Sequence, residues 1–305
     1  MGPVVLCFGV VDEADIIADF IAYHRGIGID AFVVADLGST DGTLDILRRH
    51  VGKGWLHLTE LADAAAEAGG HHSWLGSLVA TARERYHAEW CLLGDPDEFW
   101  VMPGDNAAAH LATAPSPIVV FPRFNIVPRR ETGSDRATDF RSFDLIVRRP
   151  LQFVYDLNRC TTAAEIRELA SGHPPDILRF VAPKLAARPE AIASIDGINV
   201  IASQPDTLRH VEQSGYIAHY QTRSLAQWRE KARRVTRYAD INAGKFRFGR
   251  TWIRLAVLYR NGLIDADFAR EMLAEEEIAW YLRRGVIEPE PSLAQRLAAR
   301  APRAG

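Results

Sequence analysis

Three carboxylates fall within four residues in Asp95-Pro96-Asp97-Glu98, which follows the apolar run Trp90-Cys91-Leu92-Leu93 and Gly94 and precedes Phe99-Trp100. Carboxylates crowded this closely repel one another, so a site keeps them ionised only with a cation among them. A hard divalent ion bound through oxygen is the natural partner, and such ions commonly bring a phosphate-bearing substrate with them. The plainer alternative is an acidic turn closing a strand. Two further aspartates, Asp12 and Asp36, follow apolar runs in the same way. The choice between the alternatives therefore rests on whether the fold gathers these three ends.

Val4 to Val10 is a continuous apolar run, the pattern of a strand buried on both faces. Ala14 to Arg25 carries Ile16, Ile17, Phe20, Ile21 and Tyr23 at helical spacing and stops at Gly26 and Gly28. Ala31 to Ala35 is a second strand. A helix follows with Leu44, Ile46 and Leu47 on one face, and Ser39 or Thr40 is its expected cap. Leu56 to Leu58 is a short third strand, Ser73 to His87 a helix and Trp90 to Leu93 a fourth strand. This alternation predicts an α/β fold with a parallel, doubly wound sheet, whose ligands bind at the carboxyl ends of the strands. Asp12, Asp36 and Asp95 each fall just past such an end, so the topology brings them together.

Further along, Ile118 to Phe121, Phe180 to Leu185, Ile198 to Ile201 and Tyr216 to Tyr220 are strand-like, and Arg129 to Arg141 is a polar loop. Helices are expected over Ala163 to Ala170, Gln227 to Ala239, Arg250 to Asn261 and Asp265 to Arg283, with a peripheral tail from Leu293. A net charge of −3 argues against nucleic acid as the partner. Three cysteines without a paired framework fit a reducing compartment. The first residues form a core strand and not a signal peptide, and no apolar stretch approaches the roughly 20 residues of a membrane span. The expected location is cytoplasmic. A basic cluster at Arg229, Lys231, Arg233, Arg234 and Arg237 permits peripheral contact at the inner face of a membrane, against the commoner reading of a solvated helix face.

Taken in order, Asp12-Glu13, then Ala35-Asp36-Leu37-Gly38-Ser39-Thr40-Asp41-Gly42-Thr43, then Asp95-Pro96-Asp97-Glu98-Phe99, resembles family 2-like glycosyltransferases of the GT-A fold. More narrowly, the chain resembles the bacterial branch related to glycosyltransferase family 92. Pro183-Lys184 is similar to that branch's P-K element, and His219-Tyr220-Gln221-Thr222-Arg223-Ser224 followed by Lys231 to its H-Y-x-x-R-S…K signature. The resemblance spans about residues 4 to 235. It departs from the family at Asp12, where asparagine is usual, at Gly94, where a bulkier aliphatic residue is common, and at Gly197-Ile198-Asn199, where many relatives carry a histidine.

The resemblance implies a GT-A catalytic domain over residues 1–224, a mixed and mostly parallel sheet flanked by helices, and a C-terminal helical extension over 225–305. It implies Mn²⁺ or Mg²⁺ held by Asp95, Asp97 and His219, with Asp97 the preferred direct ligand and Asp95 shared with the ribose. It places Asp36 on the N3–H of a uracil or similar base, Asp12 and Glu13 near the base or ribose, and Lys184, Arg223 and Lys231 around the diphosphate. Asp41 counts among the nucleotide-sugar residues, although shaping the turn is its commoner role. The implied reaction is an inverting, metal-dependent transfer of a sugar from a nucleotide-diphosphate donor, with a UDP-sugar favoured, to a carbohydrate or lipid-linked acceptor.

Such a displacement needs a base at the acceptor hydroxyl. Glu98 beside the acidic pair is the first candidate, and Glu131, Asp135, Asp139, Asp144 and Asp156 are the others. Trp74, Trp100, Phe124 and Tyr155 are candidates to stack on a sugar, with core packing as the alternative for each. The competing function is a catalytically silent GT-A-like domain that binds glycans or a partner. A nucleotidyltransferase is disfavoured, because Phe8 to Ala14 lacks a glycine-rich, basic loop. No E-D followed by Q-x-x-R-W is present, which argues against a processive polysaccharide synthase.

Overall fold

The computed structural model describes residues 2–61, 73–131, 136–153, 162–196, 199–204, 206–241 and 250–300. Its strands run, in chain order, β1 (Val4–Val10), β2 (Ala31–Asp36), β3 (Leu56–Glu60), β4 (Trp90–Gly94), β5 (Glu98–Val101), β6 (Ile118–Phe121) and β7 (Arg123–Asn125). There follow β8 (Leu145–Val147), β9 (Lys184–Ala187), β10 (Ile192–Asp196), β11 (Asn199–Ala202), β12 (His210–Val211), β13 (Tyr216–His219) and β14 (Ile287–Pro289). The chain divides into two compact units. One comprises Met1–Arg123, Ala182–His219 and Arg296–Gly305, the other Phe124–Val181 and Tyr220–Gln295. This differs from the expected boundary at residue 224: the segment 124–181 belongs with the C-terminal helices, and the last residues belong with the sheet.

The first unit is built on a seven-stranded sheet of order β12-β6-β9-β4-β1-β2-β3. β4, β1, β2 and β3 are mutually parallel, as the alternating pattern predicts. β9 runs antiparallel to both β4 and β6, so the sheet is mixed and mostly parallel. The sheet is buried on both faces. On one, Val5, Cys7, Val33, Cys91 and Leu93 meet Leu75, Leu78 and Ala82 of the helix Ser73–Tyr86. On the other, Phe8 packs edge-on against Phe20 of the helix Ile17–Gly26, 5.0 Å between ring centroids. Continuous apolar strands sandwiched between helices account for this arrangement without further assumptions.

Several local expectations are corrected. β2 extends to Asp36 and β3 to Glu60, and Glu98–Val101, to which the sequence reading assigns no element, is a strand. The helix Thr43–Val51 is preceded by Gly42 at φ 100°, a left-handed conformation that suits glycine. Neither Ser39 nor Thr40 caps it; Asp41 accepts instead from the Thr43 N–H at 3.0 Å. In the run Phe180 to Leu185 only the end is strand, since β9 begins at Lys184. The polar segment 129–141 closes on itself through an antiparallel bridge between Arg130 and Ala137. The C-terminal residues form a helix, Pro291–Arg300, with Leu293 and Leu297 buried. Arg296 and Arg300 both pair with Asp105 at 2.9 Å, so the tail is anchored and not peripheral.

The second unit is mainly helical: Ala163–Ser171, Leu225–Ile241, Arg250–Arg260, Ile264–Glu271 and Glu275–Arg283, with the small β8–β14 pair. The single long helix expected over 265–283 is broken between Glu271 and Glu275. Trp228, Val235, Leu255, Leu258 and Phe268 centre its core. Buried within it, Arg254 faces three carboxylates, Asp176, Asp267 and Glu271. Of the basic cluster, Arg229 is paired with Asp265 and Arg233 with Glu230. Among the described residues no helix is long and apolar enough to cross a membrane.

Candidate active site

Because β4, β1 and β2 are adjacent and parallel, their carboxyl ends lie side by side. That edge carries Asp36 at the end of β2, Asp12 two residues after β1 and Asp95 one residue after β4. The antiparallel strand β9 adds what parallel strands cannot. It starts at this edge, with Leu185 opposite Leu93, so Lys184 arrives beside the acidic turn. β6 runs toward the same edge, with Phe121 opposite Lys184, and delivers Arg123 two residues later.

Asp95 to Glu98 is a tight turn closed by the Glu98 N–H donating to the Asp95 carbonyl at 3.1 Å. The Glu98 side chain reaches back and accepts from the Asp95 N–H at 2.9 Å. It is fully buried, and Arg123 donates to its other oxygen. The Lys184 ammonium lies 2.7 Å from Asp95 Oδ2 and 3.4 Å from Glu98 Oε2. Burial is the largest single influence on the Asp95 carboxyl and pushes it up, but the charge and hydrogen bond of Lys184 together with the charge of Arg123 hold the group below its usual range. For Glu98 burial dominates and raises it despite Lys184. Burial also pushes Lys184 down, and Asp95 and Glu98 together more than reverse that. Opposite charges at such distances in a shielded setting interact several times more strongly than in water.

β5 continues from this turn and pairs antiparallel with β13, placing His219 directly opposite Glu98. His219 Nε2 lies 3.6 Å from Asp97 Oδ2, and one ligand atom each from Asp97, Glu98 and His219 lie within 4.8 Å of one another. All three residues are buried. Two donors about 2.1 Å from one ion and at right angles stand roughly 3 Å apart, so Asp97 and His219 fit a shared divalent ion after a small side-chain adjustment. Glu98 belongs to this group by distance, yet its oxygens are already engaged. Asp95 was the expected companion ligand, and the structure turns it toward Lys184 instead.

The nucleotide-side residues meet at the ends of β1 and β2. Asp36 is 2% exposed; its Oδ1 accepts from the Gly38 and Ser39 N–H groups at 3.1 and 3.0 Å, and its Oδ2 is buried with no hydrogen-bond partner among the described residues. Asp12 adopts φ 50° and accepts from the Thr40 N–H at 2.7 Å, while its own N–H donates to Ser39 Oγ. An asparagine oxygen would accept the same bond, which explains why aspartate substitutes here. The Glu13 N–H donates to Thr43 Oγ1 and the Ala14 N–H to Asp41 Oδ2. Asp12 and Asp41 thus lock the two loops together.

Gly94, a second departure, has a physical reason: a Cβ there would stand 3.1 Å from the Trp100 indole nitrogen and 3.5 Å from Glu98 Oε2. Trp100 is core, 5.0 Å from Phe121, and the Trp74 ring lies against the backbone of Gly9. Phe124 sits under the Arg148 guanidinium. Arg223 and Lys231 belong to the second unit. There Arg223 is buried and donates to the Tyr220 carbonyl at 3.0 Å, and the Lys231 ammonium lies 5.9 Å from the Trp228 ring. Asp139 accepts from the Arg141 N–H, Asp144 pairs with Arg129, and the Glu131 N–H donates to the Arg136 carbonyl. Asp135, Tyr155, Asp156, Cys160 and the pair Gly197-Ile198 lie outside the described residues. Sequence reasoning missed Arg123. The available signal was a lone basic residue just after a strand that ends at the ligand edge.

The sequence profile of the family described as glycosyltransferase family 92 matches residues 2–247. No curated protein sequence matches the chain significantly. Among solved structures it is similar to residues 1–349 of S. aureus TarS, at 12% identity over 92% of this chain and 78% of that one, with a TM-score of 0.37. It is similar to HddC from Yersinia pseudotuberculosis, at 8% identity over 72% of this chain and 93% of that one, with a TM-score of 0.38. It is also similar to glucosyl-3-phosphoglycerate synthase from Mycobacterium tuberculosis in complex with Mn²⁺, UDP and phosphoglyceric acid, at 15% identity over 78% of each chain, with a TM-score of 0.35.

Proposed function

Because the chain belongs to glycosyltransferase family 92 and is therefore a transferase, we propose that it moves a sugar from a nucleoside diphosphate donor, a UDP-sugar first, to a carbohydrate or lipid-linked acceptor, using a divalent ion held by Asp97 and His219. The observation that carries this is the buried carboxylate–imidazole pair, 3.6 Å apart at the ligand edge of the sheet. A mixed oxygen and nitrogen donor set suits Mn²⁺ better than Mg²⁺, which prefers oxygen alone. When bound, the ion neutralises charge on the departing diphosphate.

The remaining roles follow from the chain's own groups. Asp36 has one oxygen fixed by two backbone N–H groups and the other open, so its carboxylate is aimed and able to accept a ring N–H of the base. A buried acceptor left unpaired costs about 1–3 kcal/mol, which a nucleobase donor would recover. Asp12, Glu13 and Asp41 shape the pocket wall through the interlocked loops. Lys184 supplies positive charge for phosphate oxygens. Glu98 would have to abandon Arg123, Lys184 and the Asp95 N–H to act as a base, so we assign it the role of positioning residue for the Asp95–Asp97 turn.

Calorimetric titration of UDP and of GDP, each with and without Mn²⁺, tests the reading. Mn²⁺-dependent binding of UDP is expected; no metal-dependent binding of either nucleotide would sink it.

A further inference from the structure

Glu212 closes the turn by which the chain leaves the large sheet and starts the strand that carries His219. β12 pairs in parallel with β6, and the Glu212 N–H donates to the Val120 carbonyl at 2.9 Å. Four residues on, β13 begins and runs antiparallel to β5. The turn between them, Gln213 to Gly215, hangs on one carboxylate oxygen. Glu212 Oε1 accepts from the Gln213 N–H at 3.0 Å, the Ser214 N–H at 2.7 Å, the Ser214 hydroxyl at 2.8 Å and the Gly215 N–H at 3.0 Å. Its other oxygen accepts from His110 Nε2 at 2.9 Å, which ties the turn to the helix Ala107–Ala112. Glu212 is buried. Burial is the largest single influence on its carboxyl and pushes it up, but the Ser214 and Gly215 N–H groups, the Ser214 hydroxyl and His110 hold it down at about 2. Bonds to an ionised acceptor are the strong ones, so this turn is firmly set.

The register of β13 decides where His219 points. Side chains alternate along a strand, so a slip of one residue would turn His219 to the opposite face. In the observed register it stands opposite Glu98, with Nε2 3.6 Å from Asp97 Oδ2. Gly215 narrows the same passage: a Cβ there would stand 2.9 Å from a Phe121 ring carbon and 3.2 Å from the Val101 carbonyl oxygen. We propose that Glu212 is a positioning residue for His219: the turn that its carboxylate closes sets the register of β13 and so aims the imidazole at Asp97. This rests on the function proposed above, in which Asp97 and His219 hold the ion. Glu212 is not among the three residues whose ligand atoms cluster, and it acts on the ion only through the strand.

The affinity of the full chain for UDP in the presence of Mn²⁺ is measured by calorimetry for wild type, Glu212→Gln and Glu212→Ala, each well below its own unfolding transition. Backbone hydrogen exchange is followed on the same proteins. Glu212→Ala is expected to bind UDP with Mn²⁺ about tenfold more weakly than wild type, the scale on which partners outside the ligand set tune metal sites. Glu212→Gln keeps an acceptor oxygen without its charge and should lose about threefold. In Glu212→Ala, exchange should quicken by about tenfold over Tyr216–His219, while Val4–Val10 stays within about threefold of wild type.

A folded Glu212→Ala that melts earlier yet binds UDP with Mn²⁺ as tightly as wild type overturns the proposal, because Glu212 then serves stability only. Exchange that quickens equally over Val4–Val10 and Tyr216–His219 overturns it as well. If Glu212→Ala does not fold, Glu212→Gln decides: affinity no weaker than that of wild type sinks the assignment. Wild type that shows no Mn²⁺-dependent binding of UDP defeats the proposed function, and this inference with it. Wild type that does bind, beside a Glu212→Ala that binds equally well, defeats this inference alone.

Discussion

His24 ties the ligand edge to the core, and its chemistry gives a sharp stability test. The ring is fully buried in the helix Ile17–Gly26. Its Nδ1–H donates to the Phe20 carbonyl at 2.8 Å, and its Nε2 accepts from the Trp100 N–H at 3.2 Å. These partners define a neutral imidazole, because a proton on Nε2 would face another N–H. Burial lowers its pKa from 6.5 to about 3. The unfolded chain therefore takes up a proton as pH falls through 6.5, while the folded chain does not until about pH 3. A depressed folded pKa contributes stability that is present above pH 6.5 and lost on acidification. The slope is about 1.4 kcal/mol per pH unit, or about 2 kcal/mol between pH 6.5 and roughly pH 5.

Glu271 acts with the opposite sign across the same window, since burial raises its carboxyl to about 8. The informative quantity is thus the difference between wild type and His24→Gln, in which Glu271 cancels. Urea unfolding at about pH 7, 6 and 5 should show His24→Gln less stable at neutral pH, by about 1 kcal/mol for the lost Phe20 bond, with the gap narrowing and reversing as pH falls. Stability curves that stay parallel from pH 7 to about pH 5 would refute the assignment of a neutral, doubly bonded His24.

Asp36→Asn keeps an oxygen for the Gly38 and Ser39 N–H groups but loses the open carboxylate oxygen; UDP affinity should fall about 10- to 100-fold by calorimetry, with the melting temperature within about 3 °C of wild type. Gly94→Ala presses a methyl against the Trp100 indole at 3.1 Å and should cost about 1–3 kcal/mol in chemical denaturation. Arg254→Met strips the only cation bonded to both Asp267 and Glu271 among the described residues, and about 3–5 kcal/mol of stability should go with it; a loss under about 1 kcal/mol would mean that the cluster is hydrated.

The parallel half of the sheet was legible because its cause is local. Val4–Val10, Ala31–Ala35 and Trp90–Gly94 are apolar throughout, as strands covered on both faces must be, and an aspartate follows each within two residues. The family was legible in the ordered set of Asp36, Asp97, Lys184 and His219. What stayed hidden depends on pairing across the chain. Glu98–Val101 is only four residues long and its strand identity comes from β13, 115 or more positions away, so the His219–Glu98 register leaves no local trace. Arg123 reads as an ordinary surface charge until β6 and β9 are paired. The helix ends at Glu271, whose buried side chain accepts from the Asp176 and Ile177 N–H groups, and no glycine or proline marks the break for periodicity to flag.

Pairing across strands changes what the acidic motif means. Of its three carboxylates, Asp95 is bonded to Lys184, and Glu98 to Arg123 with Lys184 close by. Sequence alone suggests three carboxylates open to a cation; in the fold two of them are held by basic side chains from other strands. Had β9 entered the sheet parallel to β4, Lys184 would begin at the opposite edge, so the antiparallel insertion of one strand is what brings a lysine to the acidic turn.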